Sequence, residues 1–388
     1  MVIPDGVAER FQENTALNLA NTPYMDEIAP RSLIGLARTI PFGLPPGSDV
    51  GALSIFGFDP YIYAKGRSPL EIAAKKVVPP EDAVVFRMNL VSIHNGIMKD
   101  HSADHIKDQE AQRIIDMMKK DFFDYLRKNN MELYFGKSYR NYLVWRINDR
   151  EREEIILKTE FTPPHDILGK EIRTHLEIYE KFAPELLWLI LRSQEILKGS
   201  ANSVWFWGQG KRVNLPMFEK IYGKKAYLVS AVDIVKGIAV LSGVEVIDVP
   251  GATGYLDSNF EGKVGAILQN VKEDEVGFIH IEATDETGHQ GDREKKILSV
   301  EIVDSKVIRE IIENGGDDMR LLIIPDHQTP CEVRTHVGDP VPFLIYPCPI
   351  CGGKRCYACG KNRFTELQAY SSGFIFDGRI IMKYFLQV

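Results

Sequence analysis

The chain has 388 residues, of which 44% are hydrophobic and 26% are charged, and its formal net charge at pH 7 is −7. This length favours two domains, or one large core with an insertion, and the composition is ordinary for a globular protein. The negative charge argues against nucleic acid or an anionic membrane surface as the main partner.

No secretory signal is visible at the N-terminus, because MVIPDGVAERF contains neither a cationic segment nor an apolar one. The longest purely apolar run, Leu186 to Leu191, is far too short to span a bilayer. We therefore expect a cytoplasmic, enzyme-sized protein with no nucleic-acid or membrane partner, and we make no prediction of its oligomeric state.

The N-terminal segment predicts a short strand, a broken helix and then a turn before another helix. MVIP forms the strand and ends at Asp5, and Ala16 to Ala29 is interpreted as a helix interrupted near Pro23. The segment PPG then interrupts regular secondary structure, and Ser48 lies at the position expected for a helix N-cap. Ser48 is therefore either an ordinary capping serine or a nucleophile whose alkoxide is stabilised by the helix N-terminus and a metal.

The middle of the chain lacks regular alternation of strands and helices. AVVFRMNLVSI favours a strand, Asp108 to Lys128 a charged helix, YFGKSYRNYLVWRI a β-rich segment, Lys170 to Lys198 a long helix and NSVWFWGQG a further strand. We predict that residues 75–222 form an inserted α+β domain. The core is then discontinuous and consists of residues 1–74 and 223–388.

Strict alternation of strand and helix returns after Lys224. AYLVSA, VEVIDV, VGFIHIEA and RLLIIP favour strands, and the helices between them include an amphipathic one from Asp292 to Asn314. This order predicts an α/β fold with a doubly wound parallel sheet. The lone glycine motifs GATG and GQG are too weak to indicate a dinucleotide site.

Acidic residues and histidines follow the carboxyl ends of three predicted strands. In a parallel sheet these ends lie along one edge, which is where open α/β sheets bind ligands. Carboxylate oxygens and imidazole nitrogens together can hold divalent cations. We therefore interpret the pattern as a two-metal site and not as a coincidental cluster. The residues are Asp5, Asp285, His289, Asp326, His327 and His336.

Four of the five cysteines fall in the segment CPICGGKRCYAC, within residues 346–361. Its two C-x-x-C pairs, Cys348 with Cys351 and Cys356 with Cys359, are more typical of a structural tetrathiolate zinc site than of disulfides in a cytoplasmic chain. Free or redox-active thiols are the alternative. We predict that this four-cysteine clip stabilises the C-terminal segment and takes no part in the chemistry.

Many ordered motifs together resemble one known family. They include VIPDG, PPGSDVGALSIFGFDP, FRMNLV, YRNYLVW, TPPHDI, WFWGQG, VPGATGYLDSNFEGK, TDETGHQGD, PDHQTP and RTHVGDPVPF. From Asp5 to about Pro347 the chain resembles the archaeal-type cofactor-independent phosphoglycerate mutases of the alkaline phosphatase superfamily. The resemblance implies an alkaline phosphatase-like core, an inserted substrate-binding domain and two divalent cations, commonly manganese, with magnesium, cobalt or zinc as alternatives.

The resemblance also assigns roles to individual residues. It implies conversion of 3-phosphoglycerate to 2-phosphoglycerate, a step of glycolysis and gluconeogenesis, through a phosphoserine at Ser48. By resemblance, one metal is held by Asp285, His289 and His336, and the other by Asp5, Ser48, Asp326 and His327. The residues similar to those that contact the substrate phosphate or carboxylate are Asp49, His105, Arg140 and Lys236.

Three departures from the family pattern leave other functions open. Ser68 stands in GRSPLEI where the family has GRGPLEA, Asp104 stands in SADHI where the family has SAGHI, and ENTALN near Thr15 departs from GKTPLE. One alternative is a metal-dependent phosphatase or phosphomutase that acts on another phosphorylated small molecule. The other is a non-catalytic protein that binds partners through the four-cysteine clip.

Overall fold

The computed structural model describes residues 1–316, 318–352, 354 and 361–387. Its strands are β1 (Val2–Pro4), β2 (Leu33–Arg38), β3 (Ala83–His94), β4 (Ile97–Asp100), β5 (Met131–Lys137), β6 (Arg140–Arg146), β7 (Ser203–Lys211), β8 (Ala226–Val229), β9 (Glu245–Val246), β10 (Val276–Ile281), β11 (Leu321–Ile323), β12 (Val341–Tyr346) and β13 (Ile375–Asp377).

The α-helices are α1 (Ala16–Leu19), α2 (Pro23–Ile28), α3 (Ser48–Ile55), α4 (Pro60–Tyr63), α5 (Ser68–Ala73), α6 (Asp108–Asp121), α7 (Phe123–Lys128), α8 (Arg150–Lys158), α9 (Arg173–Phe182), α10 (Pro184–Ile196), α11 (Phe218–Tyr222), α12 (Asp233–Leu241), α13 (Phe260–Asn270), α14 (Ala283–Gln290), α15 (Arg293–Ile302), α16 (Arg309–Asn314), α17 (Glu366–Ser371) and α18 (Ile381–Leu386). Shorter 3₁₀ segments span Ala29–Arg31, Pro164–Ile167 and Gly378–Ile380, and a π-helical turn, Val303–Ile308, joins α15 to α16.

The chain packs into two compact units, one of Met1–Ala64 with Asn214–Val388 and the other of Lys65–Val213. The first unit contains an eight-stranded sheet and the second a five-stranded sheet. The junctions at 64/65 and 213/214 lie before those expected from the sequence, at 74/75 and 222/223. The assignment of residues 75–222 to substrate binding stays a prediction.

The sheet of the first unit is mixed, with the strand order β13-β2-β12-β11-β1-β10-β8-β9. β1 lies inside the sheet and pairs in parallel with β10 and β11, and β8 pairs in parallel with β10. β12, which lies outside the predicted alternation of strands and helices, runs antiparallel to β11 and β2, and this makes the sheet mixed. A loop without a crossover helix joins β11 to β12, and such a connection permits the antiparallel direction. The predicted α/β class is confirmed.

The second unit is α+β, with β3 inside an antiparallel sheet that also contains β4, β5, β6 and β7. The two long helices predicted here are each broken. α6 and α7 are separated at Phe122, and α9 and α10 are separated at Ala183. The second break arises because Pro184 has no N–H to donate and disfavours helical geometry at the residue before it.

Among the residues that the structure describes, no helix has both the length and the apolar character needed to cross a membrane.

Glu366 begins α17, and its carboxyl group is fully buried in the first unit. The two oxygens accept hydrogen bonds from the backbone N–H of Glu9 at 3.1 Å and from the Thr15 hydroxyl at 2.8 Å. Burial nevertheless raises the pKa of Glu366 from 4.5 to about 7. The unfolded chain therefore loses this proton first as the pH increases, and the stability of the folded protein falls between pH 4.5 and about pH 7.

We expect Glu366→Gln to remove this pH dependence, because an amide carries no charge at any of these pH values. The free energy of unfolding should match the wild type below pH 4.5 and exceed it above pH 7, by up to about 3 kcal/mol. Urea unfolding on both sides of this window measures the difference. Glu13→Gln, which changes an exposed carboxyl group of the same unit, should alter neither value; identical pH profiles for Glu366→Gln and wild type would contradict the prediction.

Candidate active site

The carboxyl ends of β1, β10 and β11 lie side by side, because β1 pairs in parallel with the other two strands. Asp5 directly follows β1, Asp285 lies in the first turn of α14 after β10, and Asp326 follows β11. Asp5 and Asp326 are buried, and Asp285 is half-buried. The sheet thus brings together three carboxylates that are far apart in sequence.

The Nε2 atom of His327 lies at the centre of a first group of polar atoms. It is 3.3 Å from Asp5 Oδ1, 3.4 Å from Asp326 Oδ2 and 3.2 Å from Ser48 Oγ. Asp5 Oδ1 and Asp326 Oδ2 are buried and accept no hydrogen bond from any residue that the structure describes. Burial, followed by the charges of Asp326 and Asp285, raises the pKa of Asp5 well above its usual range. Because unpaired buried carboxylate oxygens are costly, a divalent cation fits this group.

Asp285, His289 and His336 form a second group. His289 Nε2 is 3.2 Å from Asp285 Oδ2 and 2.9 Å from His336 Nε2, and His336 Nε2 is 3.6 Å from Asp285 Oδ1. Burial disfavours the charged form of Asp285, but hydrogen bonds from the two histidines hold its pKa well below the usual range, and the bond to Asp285 raises the pKa of His289. The ligand atoms of Asp285, His327 and His336 also lie within 4.8 Å of one another, so the two groups adjoin at His327.

Ser48 is the first residue of α3, and the extended Gly47 before it is the N-cap residue. The helix has no side-chain cap, and the Ser48 hydroxyl lies instead 3.2 Å from His327 Nε2. The interpretation of Ser48 as an ordinary capping serine is therefore wrong. A hydroxyl at a helix N-terminus, beside carboxylates able to hold a cation, has the surroundings that stabilise an alkoxide.

Gly6 and Thr329 connect the two groups, and neither was identified from the sequence. Thr329 Oγ1 donates to Asp285 Oδ1 at 2.5 Å and lies 3.2 Å from His327 Nδ1. The backbone N–H of Gly6 donates to Asp326 Oδ1 at 3.2 Å. Gly6 has a φ of +57°, and a Cβ atom there would overlap the Asp285 carboxylate, so glycine meets both requirements.

A buried polar chain supports Asp5 from the side of β10. His280 Nε2 is 3.4 Å from Asp5 Oδ2, and His280 Nδ1 is 3.1 Å from Glu282 Oε1. Glu282 also accepts hydrogen bonds from Lys263 Nζ and from the backbone N–H of Ala231, both at 2.6 Å. Burial opposes ionisation of Glu282, but these partners lower its pKa to about 2. These contacts were not identified from the sequence, in which the available signal was a His and a Glu two positions apart at the end of an apolar strand.

The four residues assigned to the substrate by resemblance are divided between the two units. In the first unit, Asp49 is half-buried in the first turn of α3, and Lys236 in α12 forms an ion pair of 2.7 Å with an aspartate. In the second unit, His105 and Arg140 are exposed, and both adjoin the ring of Tyr139. The structure thus gathers the seven proposed metal ligands in the first unit and places two of the four substrate residues in the second.

Two of the four predicted zinc ligands can be described. Cys348 is buried and Cys351 is half-buried. Burial, followed by the adjacent Cys348 thiol, raises the pKa of Cys351 to about 11. Cys356 and Cys359 lie outside the described residues, so the four-cysteine clip stays a prediction.

Comparison with known proteins identifies relatives of this chain. A family model described as 2,3-bisphosphoglycerate-independent phosphoglycerate mutase matches residues 29–202. A Methanosarcina mazei protein of that name is 43% identical over an alignment of 366 residues that covers 89% of this chain and 89% of that protein. A solved structure from Pyrococcus horikoshii matches with a TM-score of 0.76 and 28% identity, over 100% of this chain and 95% of that chain.

A further solved structure shows the same fold at lower sequence identity. It is a cofactor-independent phosphoglycerate mutase from Thermoplasma acidophilum, with a TM-score of 0.61 and 21% identity over 100% of this chain and 98% of that chain. The Methanosarcina relative alone is similar enough, over enough of both chains, to establish the relationship. This chain therefore belongs to the family of 2,3-bisphosphoglycerate-independent phosphoglycerate mutases.

Proposed function

We propose that this chain interconverts 3-phosphoglycerate and 2-phosphoglycerate through a phosphoserine at Ser48. The observation that carries the proposal is the position of the Ser48 hydroxyl, at a helix N-terminus and 3.2 Å from His327 in an acidic cluster. The names of the relatives support the same reaction. The substrate is accordingly a small phosphorylated hydroxy acid.

Two divalent cations complete the proposed site, with manganese expected and magnesium, cobalt or zinc as alternatives. When bound, they would lower the pKa of the Ser48 hydroxyl and neutralise charge on the transferring phosphoryl group. The chain's own residues orient the nucleophile, because His327 contacts Ser48 and Thr329 holds Asp285 and His327. The proposed ligands of one cation are Asp285, His289 and His336, and those of the other are Asp5, Ser48, Asp326 and His327.

The proposed reaction has two transfer steps at Ser48. Ser48 Oγ loses its proton and attacks the phosphorus atom, and the bond from phosphorus to the 3-oxygen of the substrate breaks, so that this oxygen takes up a proton as the 3-hydroxyl of glycerate. Glycerate then reorients, and its 2-hydroxyl loses its proton and attacks the phosphoserine. The bond from phosphorus to Ser48 Oγ breaks, and the serine hydroxyl regains a proton. Water must be excluded between the steps, since its attack on the phosphoserine would release phosphate and make the protein a phosphatase.

The decisive experiment supplies 3-phosphoglycerate and Mn²⁺ to the purified chain and measures 2-phosphoglycerate and free phosphate together. The mutase predicts 2-phosphoglycerate with little phosphate. Phosphate alone would favour the phosphatase, and neither product would favour a different phosphorylated substrate. A chelator should abolish the activity, and added Mn²⁺ should restore it.

The backbone of α3 packs on the loop that carries Asp326, which provides a test of the site's geometry. A Cβ atom at Gly51 would overlap the Asp326 carbonyl oxygen, so Gly51→Ala should displace this loop from Ser48. A shift of about 1 Å in a reacting group costs on the order of 100-fold in turnover, and we expect a loss of that size. Steady-state kinetics measures it.

Gly265→Ala is the matched control for this substitution. It also replaces a helical glycine of the first unit, but a Cβ atom at Gly265 meets no atom within 4 Å. This variant should keep wild-type turnover and gain slightly in thermal stability from the better helix propensity of alanine. Equal turnover in the two variants would show that the contact between α3 and the Asp326 loop does not matter for catalysis.

We propose that His105 and Arg140 contact the substrate, and the turn before His105 bears on its affinity. Ala103, Asp104 and His105 all have positive φ, between 50° and 58°. Non-glycine residues adopt this region at a cost, which Asp100 offsets by accepting a hydrogen bond from the backbone N–H of Asp104 at 2.6 Å. The exposed Asp104 side chain also places negative charge where an anion is proposed to bind.

We expect Asp104→Gly to relax this turn and to lower the KM for 3-phosphoglycerate, because it removes both the backbone strain and the like charge. The stability gain should be at most about 1 kcal/mol, because aspartate and asparagine tolerate this region better than most residues. Asn95→Gly is the control, since exposed Asn95 also has a positive φ, 52°, in a turn of the same unit. It should gain similar stability without any change in KM. An unchanged KM in Asp104→Gly would argue against substrate binding beside His105.

The other departure within the second unit has a structural explanation. Ser68 is buried, and its hydroxyl donates a hydrogen bond of 2.5 Å to the carbonyl of Gly208. The added hydroxyl therefore has an internal partner, and we assign it no contact with substrate.

We also propose a structural zinc ion at Cys348, Cys351, Cys356 and Cys359. The adjacent Cys348 and Cys351 thiols and the spacing of the second pair support this proposal. Metal analysis of the purified chain should find about one zinc ion that resists mild chelation, in addition to exchangeable manganese. Protein that contains no zinc and keeps full activity and stability would contradict it.

A further inference from the structure

Lys296 is a fully buried lysine in α15 with no role in the steps proposed above. Its ammonium group donates hydrogen bonds to the backbone carbonyls of Thr329 at 2.7 Å and of Gly6 at 3.0 Å. Glu9 Oε1 lies 3.6 Å from the same nitrogen. A lysine is rarely buried so completely unless its charge is paired, and Glu9 provides that pairing.

Both carbonyl groups belong to segments that carry proposed metal ligands. Gly6 follows Asp5, and the Gly6 N–H donates to Asp326 at 3.2 Å. Thr329 lies two residues after His327, and its hydroxyl donates to Asp285 at 2.5 Å. One ammonium group therefore ties together two segments that carry or contact all three carboxylates of the proposed centre.

Glu9 also binds the loop that contains Thr329. Its Oε1 accepts a hydrogen bond from the backbone N–H of Cys331, and its Oε2 accepts one from Ala16, both at 2.9 Å. Cys331 lies in the same loop as Thr329, so the ammonium and the carboxylate hold this loop at two points. Apolar side chains of similar volume can often replace a buried ion pair without loss of stability, so packing alone does not explain a buried lysine here. The directional hydrogen bonds of Lys296 to two segments that carry proposed metal ligands therefore indicate a role beyond packing.

We propose that Lys296 is a positioning residue for the metal centre, acting through the carbonyls of Gly6 and Thr329 to hold the proposed ligands at the spacing that cations require. This inference rests on the two-metal site proposed above. It adds Lys296 of α15 to the residues that shape that site.

The test measures Mn²⁺ affinity by electron paramagnetic resonance of the free ion in wild type, Lys296→Met and the double variant Lys296→Met/Glu9→Gln. Methionine is unbranched and nearly as long as lysine, but it carries no charge and donates no hydrogen bond. The double variant also removes the Glu9 charge, so that no unpaired carboxylate opposes folding. We expect both variants to bind Mn²⁺ about 10–100-fold more weakly than wild type, the range for partners that orient metal ligands.

Lys224→Met is the matched control. Lys224 pairs with Asp274 and lies just before β8, at the amino end of a parallel strand and thus at the other edge of the sheet. The Mn²⁺ affinity of Lys224→Met should equal that of wild type. Melting curves of the metal-free proteins accompany the titrations, because a residue with a structural role alone would lower the melting temperature without changing Mn²⁺ affinity.

Each outcome decides between the proposals. Wild-type Mn²⁺ affinity in the folded Lys296 variants would overturn the role of Lys296 and leave the metal centre standing. No Mn²⁺ binding by the wild-type chain would overturn the metal centre itself. If neither variant folds, Lys296 is required for the fold and the positioning role is rejected.

Discussion

Ser48→Ala should abolish the mutase reaction. The substitution removes only the hydroxyl group, which lies 3.2 Å from His327 Nε2, so the surrounding carboxylates and imidazoles are expected to keep their places. Without Oγ no phosphoserine forms, and loss of a covalent nucleophile costs on the order of 10⁴-fold or more in turnover. Formation of 2-phosphoglycerate from 3-phosphoglycerate, followed by phosphorus NMR, measures the loss.

Ser54→Ala is the matched control for the nucleophile. Ser54 is buried in the same helix, and its hydroxyl has no hydrogen-bond partner among the described residues. This variant should keep wild-type turnover and should show a phosphorylated species by intact-protein mass after incubation with substrate. Ser48→Ala should show none. Turnover at the wild-type rate in Ser48→Ala would exclude the phosphoserine route.

The gathering of the carboxylates was predictable because it depends on strand direction alone. Asp5, Asp285 and Asp326 each follow an apolar run, and parallel pairing of β1 with β10 and β11 places the ends of those runs on one edge. The direction of β12 was not predictable in this way. VPFLIY has the same apolar pattern in either orientation, and its pairing depends on the connection from β11.

The supporting contacts were beyond sequence reasoning for a different reason. Thr329, Lys296 and Lys263 act through hydrogen bonds to groups that are distant in sequence, and no spacing rule connects such partners. A lysine in a helix is usually solvated, and nothing in the sequence indicates that either of these lysines is buried. Their burial becomes understandable only when the structure shows the carboxylates and carbonyl groups that accept their hydrogen bonds.

Asp285→Asn should separate the two proposed metal positions. Asp285 contacts His289 and His336 at 3.2 and 3.6 Å, whereas Asp5 and Asp326 surround His327 on the other side. An amide keeps the size of the carboxylate but loses its charge, which weakens the second group and leaves the first intact. We therefore expect the number of Mn²⁺ ions bound per chain to fall from two to one.

Turnover should fall because one ion is lost. Mutation of a residue that only orients a metal ligand costs roughly 10–100-fold, and we expect a larger loss here because Asp285 is itself a proposed ligand. Equilibrium dialysis with Mn²⁺ and steady-state kinetics measure the two effects in one preparation. Glu294→Gln, which neutralises an exposed carboxylate in the next helix, should change neither. Loss of both ions from Asp285→Asn would mean that the groups adjoining at His327 form one cooperative centre, and retention of both would remove Asp285 from the proposed ligands.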